Sequence, residues 1–358
     1  MPPLRPQLKP ALRRVWRDGT TLQLGVDPGR AVVIGGLDTA SARLVESLDG
    51  TRDLNGLRVA AARLGLAPRH LEDLLGLLTR SGVLQDAAAD QRPLAGLSRE
   101  ERDRLAPDIA AASIARAGLD GGAGVLGRRR RKVVAVHGAG RVGASLVRLL
   151  AAAGVGGLAV EDAGTTRAAD LSPAGLDADA LGARRQEAAA RAARALAASA
   201  RTGAPTGPAP DLVVLTAEPG NGPESHLVDR LVRSGIPHLF ARVRDATGVV
   251  GPLVLPGRSS CRRCHDLHRA DRDPAWPSVA AQLTGGGRVA PAACDVVLAT
   301  TVAAHAGLQV LAFLDGDARP PAVDGTLEVS QADGRVRRRS WSAHPACGCA
   351  WAAADQTP

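Results

Sequence analysis

Four of the five cysteines form two closely spaced pairs, Cys261-x-x-Cys264 and Cys347-x-Cys349, at either end of the C-terminal third of the chain. Two sulfurs from one turn can reach the same metal ion, and zinc is commonly held by two such pairs of thiolates. The spacing therefore predicts one structural Zn²⁺ site with all four as ligands. Disulfides and unrelated thiols are the alternatives, and Cys294, which has no close partner, is predicted to be an ordinary buried thiol.

The length of 358 residues allows two or three domains, and 45% hydrophobic content is sufficient for well-packed cores. The N-terminus lacks the apolar core of a signal peptide, and we expect no stretch of about eighteen apolar residues that would cross a membrane. A cytoplasmic protein with reduced thiols is therefore expected. The net charge of +9 would suit nucleic acid, but two Phe, four Trp and no Tyr leave few rings to stack on bases. We expect neither a nucleic-acid partner nor membrane association.

Residues 1–86 are predicted to form a small α+β, winged-helix-like domain that binds a peptide. Apolar runs at 20–26 and 31–34 flank the turn Asp27-Pro28-Gly29-Arg30, which is a hairpin signal. The exposed edge of this hairpin would accept an extended peptide by strand addition.

Helical patterns follow the hairpin at residues 39–48, 54–64 and 68–82. Thr39 is the predicted cap of the first. The leucines predicted to form the buried stripe of the third are Leu71, Leu74, Leu75 and Leu78. Residues 87–131, with four consecutive arginines near their end, are predicted to be a linker to a domain over residues 132–358.

The large domain opens with the short apolar strand 133–136, followed at once by His137-Gly138-Ala139-Gly140-Arg141-Val142-Gly143. Gly138 would permit the tight turn, Gly140 would let backbone amides approach a phosphate, and Gly143 would let the helix pack closely on the sheet. A second strand over 158–162 ends in acids, so Asp162, with Glu161 as the alternate, is the candidate acceptor for ribose hydroxyls. The alternative is a plain βαβ unit whose glycines serve packing alone.

Further strands are predicted at 211–216 and 237–242, after helices at 181–200 and 224–234. This alternation indicates an α/β fold with a doubly wound, mostly parallel sheet. Ligands of such sheets bind at the carboxyl ends of the strands, which would gather residues 138–141, Asp162 and 216–221 around one crevice.

Residues 131–351 resemble the ThiF/MoeB/E1-like adenylyltransferases. The resemblance rests on the glycine turn, the acids after the second strand, residues 181–185, the strand 211–216, a hairpin at 248–256 and the two cysteine pairs. It implies a Rossmann-like sheet, structural zinc, bound ATP with Mg²⁺, a homodimer, and adenylation of the C-terminal carboxylate of a peptide or small carrier protein. The resemblance and the glycine turn together predict which residues bind the nucleotide: Gly138, Gly140, Arg141, Gly143, Asp162 and Arg185.

Within this family the chain looks most similar to actinobacterial ThiF-like proteins and to the partner proteins of cyclodehydratases in azoline-forming peptide biosynthesis. Those partners have an N-terminal winged-helix peptide clamp, and residues 261–277 carry the most specific part of the match. His265 and His268 lie in this stretch. Because four thiolates already fill a tetrahedral zinc site, we expect both histidines to form hydrogen bonds instead.

The sequence departs from the family pattern in three places. Residues 169–174 stand where the family has an Asn and an Arg, Arg185 replaces a phosphate-contacting Lys, and the Asp expected after the third strand is absent, with Glu218 nearby. Losing these groups implies weakened phosphoryl chemistry, and no catalytic residue or thioester cysteine is assigned.

Two functions of different class follow from these observations. One is an ATP-dependent adenylyltransferase acting on a peptide or small carrier protein. The other is a non-catalytic partner that holds a precursor peptide for a separate modifying enzyme. A nicotinamide-dependent oxidoreductase is a weaker third reading, because the cysteine pairs and the lack of a catalytic Lys or Tyr disfavour it.

Overall fold

The computed structural model describes residues 3–203, 209–217, 224–284, 293–316 and 319–349. The chain divides into two compact units, Met1–Arg128 and Arg129–Pro358. The elements of the first unit are β1 (Pro6–Leu8), β2 (Arg14–Trp16), β3 (Leu22–Leu24), β4 (Val32–Ile34), α1 (Thr39–Glu46), α2 (Leu54–Arg63), α3 (Pro68–Arg80), β5 (Leu84–Asp86) and α4 (Arg99–Ala115), and α5 (Ala123–Arg131) crosses into the second.

In the first unit, β2, β3 and β4 form an antiparallel meander, and β1 pairs with β5. The predicted hairpin corresponds to β3 and β4, and α1 to α3 lie where the sequence predicts them. The cap of α1 is Asp38 instead of Thr39, because the Asp38 carboxylate accepts the Ser41 N–H at 2.7 Å. Leu71, Leu74 and Leu78 are buried in the core and Leu75 packs against it.

Residues 87–131, expected to be a linker, contain α4 and α5, and the first unit extends to Arg128. Ser98 and Glu101 cap α4 reciprocally. The fully buried ammonium of Lys9 donates to the carbonyls of Ser113 and Arg116, both at 2.5 Å, and so satisfies acceptors at the end of this helix. This long-range contact makes α4 part of the packed unit.

The second unit is built on one eight-stranded sheet in the order β13-β12-β11-β10-β9-β6-β7-β8. Its elements are β6 (Val133–His137), α6 (Arg141–Ala152), β7 (Gly157–Glu161), α7 (Arg185–Leu196), β8 (Arg201–Thr202), β9 (Leu212–Leu215), α8 (Glu224–Arg233), β10 (His238–Arg244), β11 (Thr247–Val254), α9 (Arg262–Ala270), α10 (Trp276–Thr284), α11 (Val296–Asp315), β12 (Gly325–Ser330) and β13 (Val336–Ser340).

Strands β6 to β10 are parallel, and β11 to β13 extend the sheet in antiparallel fashion. The order β8-β7-β6-β9-β10 reverses direction between β6 and β9, as in a doubly wound Rossmann-type sheet. The α/β, mostly parallel fold is confirmed. The sequence missed β8, which is only two residues long, and α7 begins at Arg185 instead of residue 181 because Gly182 adopts a φ of 78°.

Helix α11 is the one helix of the described residues that is long and apolar enough to cross a membrane. This corrects the expectation that no such stretch exists. Its buried side belongs to the core of the second unit, through residues such as Val302, Ala306 and Val310. A core helix passes the same test of length and composition, so the pattern by itself is weak support for a membrane span.

Candidate functional site

The glycine turn lies at the carboxyl end of β6, beside the point where the strand order reverses. Gly138 has a φ of 95°, and a Cβ there would lie 2.7 Å from the Ala217 nitrogen. A Cβ on Gly143 would lie 1.9 Å from the Gly138 oxygen. The turn itself and the close packing of α6 therefore require these two glycines.

Gly140 differs from its two neighbours, since the fold leaves room for a side chain there. A Cβ at this position would meet only the Asp170 Oδ1, at 3.8 Å, and the backbone φ is −73°. No side chain caps α6 at Gly140, its N-cap residue. No side chain therefore covers the first-turn N–H groups of α6. Uncovered N–H groups at a helix N-terminus can bind an anion.

Asp162 lies next to this turn, and its side chain is only 7% exposed. Its Oδ2 accepts the Ala139 N–H at 2.7 Å, and its Oδ1 accepts the Gly164 N–H at 2.7 Å. Arg185 pairs with the same Oδ1 at 3.0 Å. A ribose hydroxyl would therefore have to share oxygens that already hold the turn together.

Arg185 also pairs with Asp170, at 3.2 Å, so its guanidinium bridges two carboxylates. Burial opposes the charge of Arg185, but the two carboxylates raise its pKa above the ordinary value. Sequence reasoning placed Arg185 on a phosphate and did not identify Asp170. No local pattern marks Asp170, because its partner is fifteen residues away in sequence.

Two further residues close the turn. The Arg141 guanidinium donates to the Ala169 carbonyl at 2.6 Å and to the Cys294 carbonyl at 2.8 Å. The Thr216 hydroxyl lies 2.8 Å from the Gly138 carbonyl oxygen, to which it donates. The structure thus brings Gly138, Gly140, Asp162 and Thr216 to one edge of the sheet, while positions 218–221 of the predicted crevice lie outside the described residues.

The four paired cysteines form a second cluster. They pack with Phe240 of β10 and do not belong to the main core of the second unit. The Sγ–Sγ distances are 3.8 Å for Cys261–Cys264, 3.5 Å for Cys261–Cys347 and 3.3 Å for Cys264–Cys349. These are too long for disulfides, whose S–S length is about 2.05 Å. A tetrahedron with Zn–S bonds of about 2.3 Å has S···S edges of about 3.8 Å, so the donor set fits zinc.

Burial makes the thiolate form of two of these cysteines costly when no cation is bound. Burial raises the pKa of Cys261 to about 12 and raises that of Cys349 as well. A divalent cation offsets this cost because it binds the thiolate form. Gly348, between the last two cysteines, has a φ of 75°, which glycine adopts without the steric cost that other residues meet.

The histidines near the cysteines make other contacts. His265 stacks on Trp341 with ring centroids 4.4 Å apart, and burial lowers its pKa to about 3. His268, Asp271 and His344 lie close enough together to suggest a further metal site. However, the Ala346 N–H donates to His344 Nδ1 at 3.1 Å, which leaves Nε2 as the protonated nitrogen that donates to Asp271 at 2.9 Å. This group therefore fits a hydrogen bond better than a metal ion.

Residues 112–218 match the model of the ThiF family. No curated protein is a significant match. Among solved structures, E. coli MccB with MccA-N7isoASN is 15% identical, with a TM-score of 0.70 and coverage of 96% of this chain and 99% of that chain.

Two other solved structures are similar to this chain to the same degree. E. coli MccB with ATP is 15% identical, covers 97% of this chain and 99% of that chain, and has a TM-score of 0.70. PaaA is 18% identical, covers 93% of this chain and 99% of that chain, and has a TM-score of 0.70. These likenesses confirm the predicted ThiF/MoeB/E1-like fold.

Proposed function

We propose that this chain, which has the ThiF-type adenylyltransferase fold, binds ATP at the glycine turn, is weak in adenylation chemistry, and acts on or presents a peptide or small carrier protein. The observation that carries the proposal is Gly140. The fold does not need a glycine there, but a ligand approaching the N-terminus of α6 does. A solved structure of similar fold holds ATP.

The residues around the turn have complementary tasks in this proposal. The first-turn N–H groups of α6, at Arg141 and beyond, would hold phosphate oxygens. Asp162 would hold the turn and share an oxygen with the ribose. Bound ATP with Mg²⁺ would supply the adenylyl group, with pyrophosphate as the leaving group, and the protein contributes position and charge.

The ion pairs of Arg185 are one reason to expect that adenylation by this chain is slow. Its guanidinium already neutralises Asp162 and Asp170, so its charge is shared with two carboxylates before any nucleotide arrives. Asp170 also brings a negative charge within 3.8 Å of the position of a Cβ on Gly140. Both effects lessen the positive potential available to the phosphates of ATP during adenylyl transfer.

The first unit is proposed to be the winged-helix-like peptide-binding part. Strand β2 forms one edge of its meander, and all three of its residues are exposed. Val15 and Trp16 are 43% and 42% exposed, so this edge offers both backbone groups and apolar side chains to an extended peptide. If ATP does not bind, this surface supports the second candidate function, that of a partner presenting a precursor peptide to a separate modifying enzyme.

The cysteine cluster is proposed to hold one structural Zn²⁺ through Cys261, Cys264, Cys347 and Cys349. Reduced, metal-bound thiols favour a cytoplasmic location. The resemblance to dimeric ThiF-like proteins favours a homodimer, which sedimentation at several concentrations tests.

Calorimetric titration of ATP and Mg²⁺ into the zinc-loaded full-length protein tests the nucleotide site. We expect micromolar binding to the natural protein and none to Gly140→Val, because the added side chain blocks the N-terminus of α6. Gly19→Val is the matched control, since a Cβ at Gly19 meets nothing within 4 Å. If the natural protein gives no heat at millimolar ATP, nucleotide binding is rejected. If it does bind ATP, pyrophosphate exchange is the next assay, because it measures adenylation.

A further inference from the structure

Asp170 lies at the N-terminus of α6, beside the glycine turn. Its Oδ1 is 3.8 Å from the position of a Cβ on Gly140, the N-cap residue of this helix. The same Oδ1 is 3.2 Å from Arg185 Nη1. One carboxylate oxygen therefore stands between a guanidinium and a helix N-terminus, and both of these groups attract anions.

Two donors hold the Asp170 carboxylate in this position. Arg185 Nη1 donates to Oδ1, and the Arg167 N–H donates to Oδ2 at 2.9 Å. The Asp170 side chain is only 15% exposed, so water screens its charge incompletely. One oxygen thus closes the short turn at residues 168–170, and the other faces Arg185.

Arg185 has a second anchor that does not depend on Asp170. Its Nε and Nη2 lie 3.1 and 3.0 Å from Asp162 Oδ1. A Cβ on Gly164 would overlap the guanidinium, so the glycine makes room for this arrangement. Arg185 Nη1 can therefore change its partner while the rest of the guanidinium stays paired with Asp162.

The charges of this group sum to one negative charge, because Asp162 and Asp170 share the single cation Arg185. Arg141 is a further cation at the turn, but its guanidinium donates to two backbone carbonyls. Among the described residues it pairs with neither carboxylate. A phosphate that approaches the N-terminus of α6 therefore meets the charge of Asp170, and like charges a few ångströms apart repel strongly where water is scarce.

We propose that Asp170 takes the place of a phosphate oxygen in the ligand-free protein, and that a nucleotide binds by displacing this carboxylate from Arg185 Nη1. Asp170 then competes with the ligand for Arg185 and sets the affinity of the site. This inference rests on the proposed nucleotide site and adds how that site is restrained.

An ion pair that only held the turn at residues 168–170 would lead to a different result. Loss of Asp170 would then loosen the turn, and ligand binding would weaken or stay the same. Asn has nearly the same shape as Asp and keeps a carbonyl oxygen for Arg185, but it carries no charge. The substitution Asp170→Asn therefore separates the two roles.

The test titrates ATP with Mg²⁺ into the zinc-loaded full-length protein and, in a separate experiment at the same ionic strength, inorganic tripolyphosphate. Tripolyphosphate measures anion binding without a nucleoside. The variant is Asp170→Asn. The matched control is Asp179→Asn, at an exposed position in the same connection between β7 and α7, with the same change of charge.

We expect Asp170→Asn to bind ATP at least about tenfold more tightly than the natural protein, and Asp179→Asn to bind it equally. In an Arg185→Gln background, Asp170→Asn should give a much smaller gain, because the exchange needs the guanidinium. Equal or weaker ATP binding by Asp170→Asn overturns the inference. A gain of the same size in the Arg185→Gln background overturns it as well.

The two probes separate this inference from the proposed function. If the natural protein binds ATP and Asp170→Asn binds it no more tightly, the nucleotide site stands and the inference is wrong. If ATP binds to neither protein but tripolyphosphate binds to Asp170→Asn alone, the nucleotide function is rejected and the competition by Asp170 stands. If Asp170→Asn binds neither probe, the inference is overturned.

Discussion

Gly140 and Gly143 stand three residues apart in one turn, but for different reasons. A side chain on Gly143 would overlap the Gly138 carbonyl, whereas one on Gly140 would meet only a carboxylate oxygen at 3.8 Å. Spacing alone cannot separate these roles, because both glycines belong to the same motif. The structure separates them through the atoms that face each position.

Gly143→Ala should destabilise the protein by about 2 kcal/mol or more, because backbone atoms must shift to accept the new Cβ. Gly140→Ala should cost less, about 1 kcal/mol or below, which is the difference expected between Gly and Ala at a helix N-cap. Urea unfolding of the zinc-loaded variants measures both. Equal stability of the two variants would contradict the packing role assigned to Gly143.

His238 is fully buried on β10, and its Nε2 has no hydrogen-bond partner among the described residues. Burial lowers its pKa below the usual 6.5. Below pH 6.5, His238 therefore binds a proton in the unfolded chain but stays neutral in the folded one. Its contribution to stability is fully present above pH 6.5 and is lost as the pH falls toward the pKa of the folded state.

We therefore expect His238→Leu to lose less stability than the natural protein as the pH falls from neutral to below the ordinary pKa of His. The natural protein should lose up to about 1.4 kcal/mol per pH unit from this one group. His226→Leu, at an exposed position of α8, is the control and should leave the pH profile unchanged. Parallel profiles for the natural protein and His238→Leu would refute the argument.

At the scale of elements, the ends of α5 and α11 are joined by a buried ion pair. Arg129 donates to both oxygens of Asp315, at 2.8 and 2.7 Å, and the two side chains are 11% and 4% exposed. The fork geometry satisfies both charges away from water. Removing one partner would leave the other charge buried without compensation.

Asp315→Asn should destabilise the second unit by about 3 kcal/mol or more, since Arg129 remains charged in a buried place. Asp333→Asn, in the exposed turn between β12 and β13, should destabilise the protein far less, because water already screens its ion pair with Arg337. Chemical denaturation in urea, which does not screen charges, compares the two. A cost for Asp315→Asn no larger than that for Asp333→Asn would show that water reaches the pair.

At the scale of the whole molecule, the cysteine cluster joins segments that are more than eighty residues apart in sequence. The loop before α9 and the chain after β13 meet at this cluster, so the metal ion would hold this part of the second unit in place.

Metal analysis should find one zinc per chain. Cys261→Ser with Cys264→Ser should abolish the zinc and lower the unfolding temperature, while Cys294→Ser should keep the metal, because Cys294 lies outside the cluster. A stable, metal-free natural protein purified without chelator would reject the zinc site.

The glycine turn, the cysteine pairs and the alternating strands could all be predicted, because each is a local pattern that reflects a backbone or metal requirement within a few residues. The helices α1 to α3 and the parallel sheet followed from the same local signals. Strand β8 escaped prediction because two residues carry too little pattern.

The sequence by itself therefore determined the α/β, mostly parallel fold and the two candidate ligand sites, since periodicity and short spacings encode them. Only the tertiary structure decided which charges meet. Lys9 caps α4 and Arg185 bridges Asp162 and Asp170 through contacts between residues distant in sequence. Those pairings depend on how whole elements pack, and no local rule of spacing contains that information.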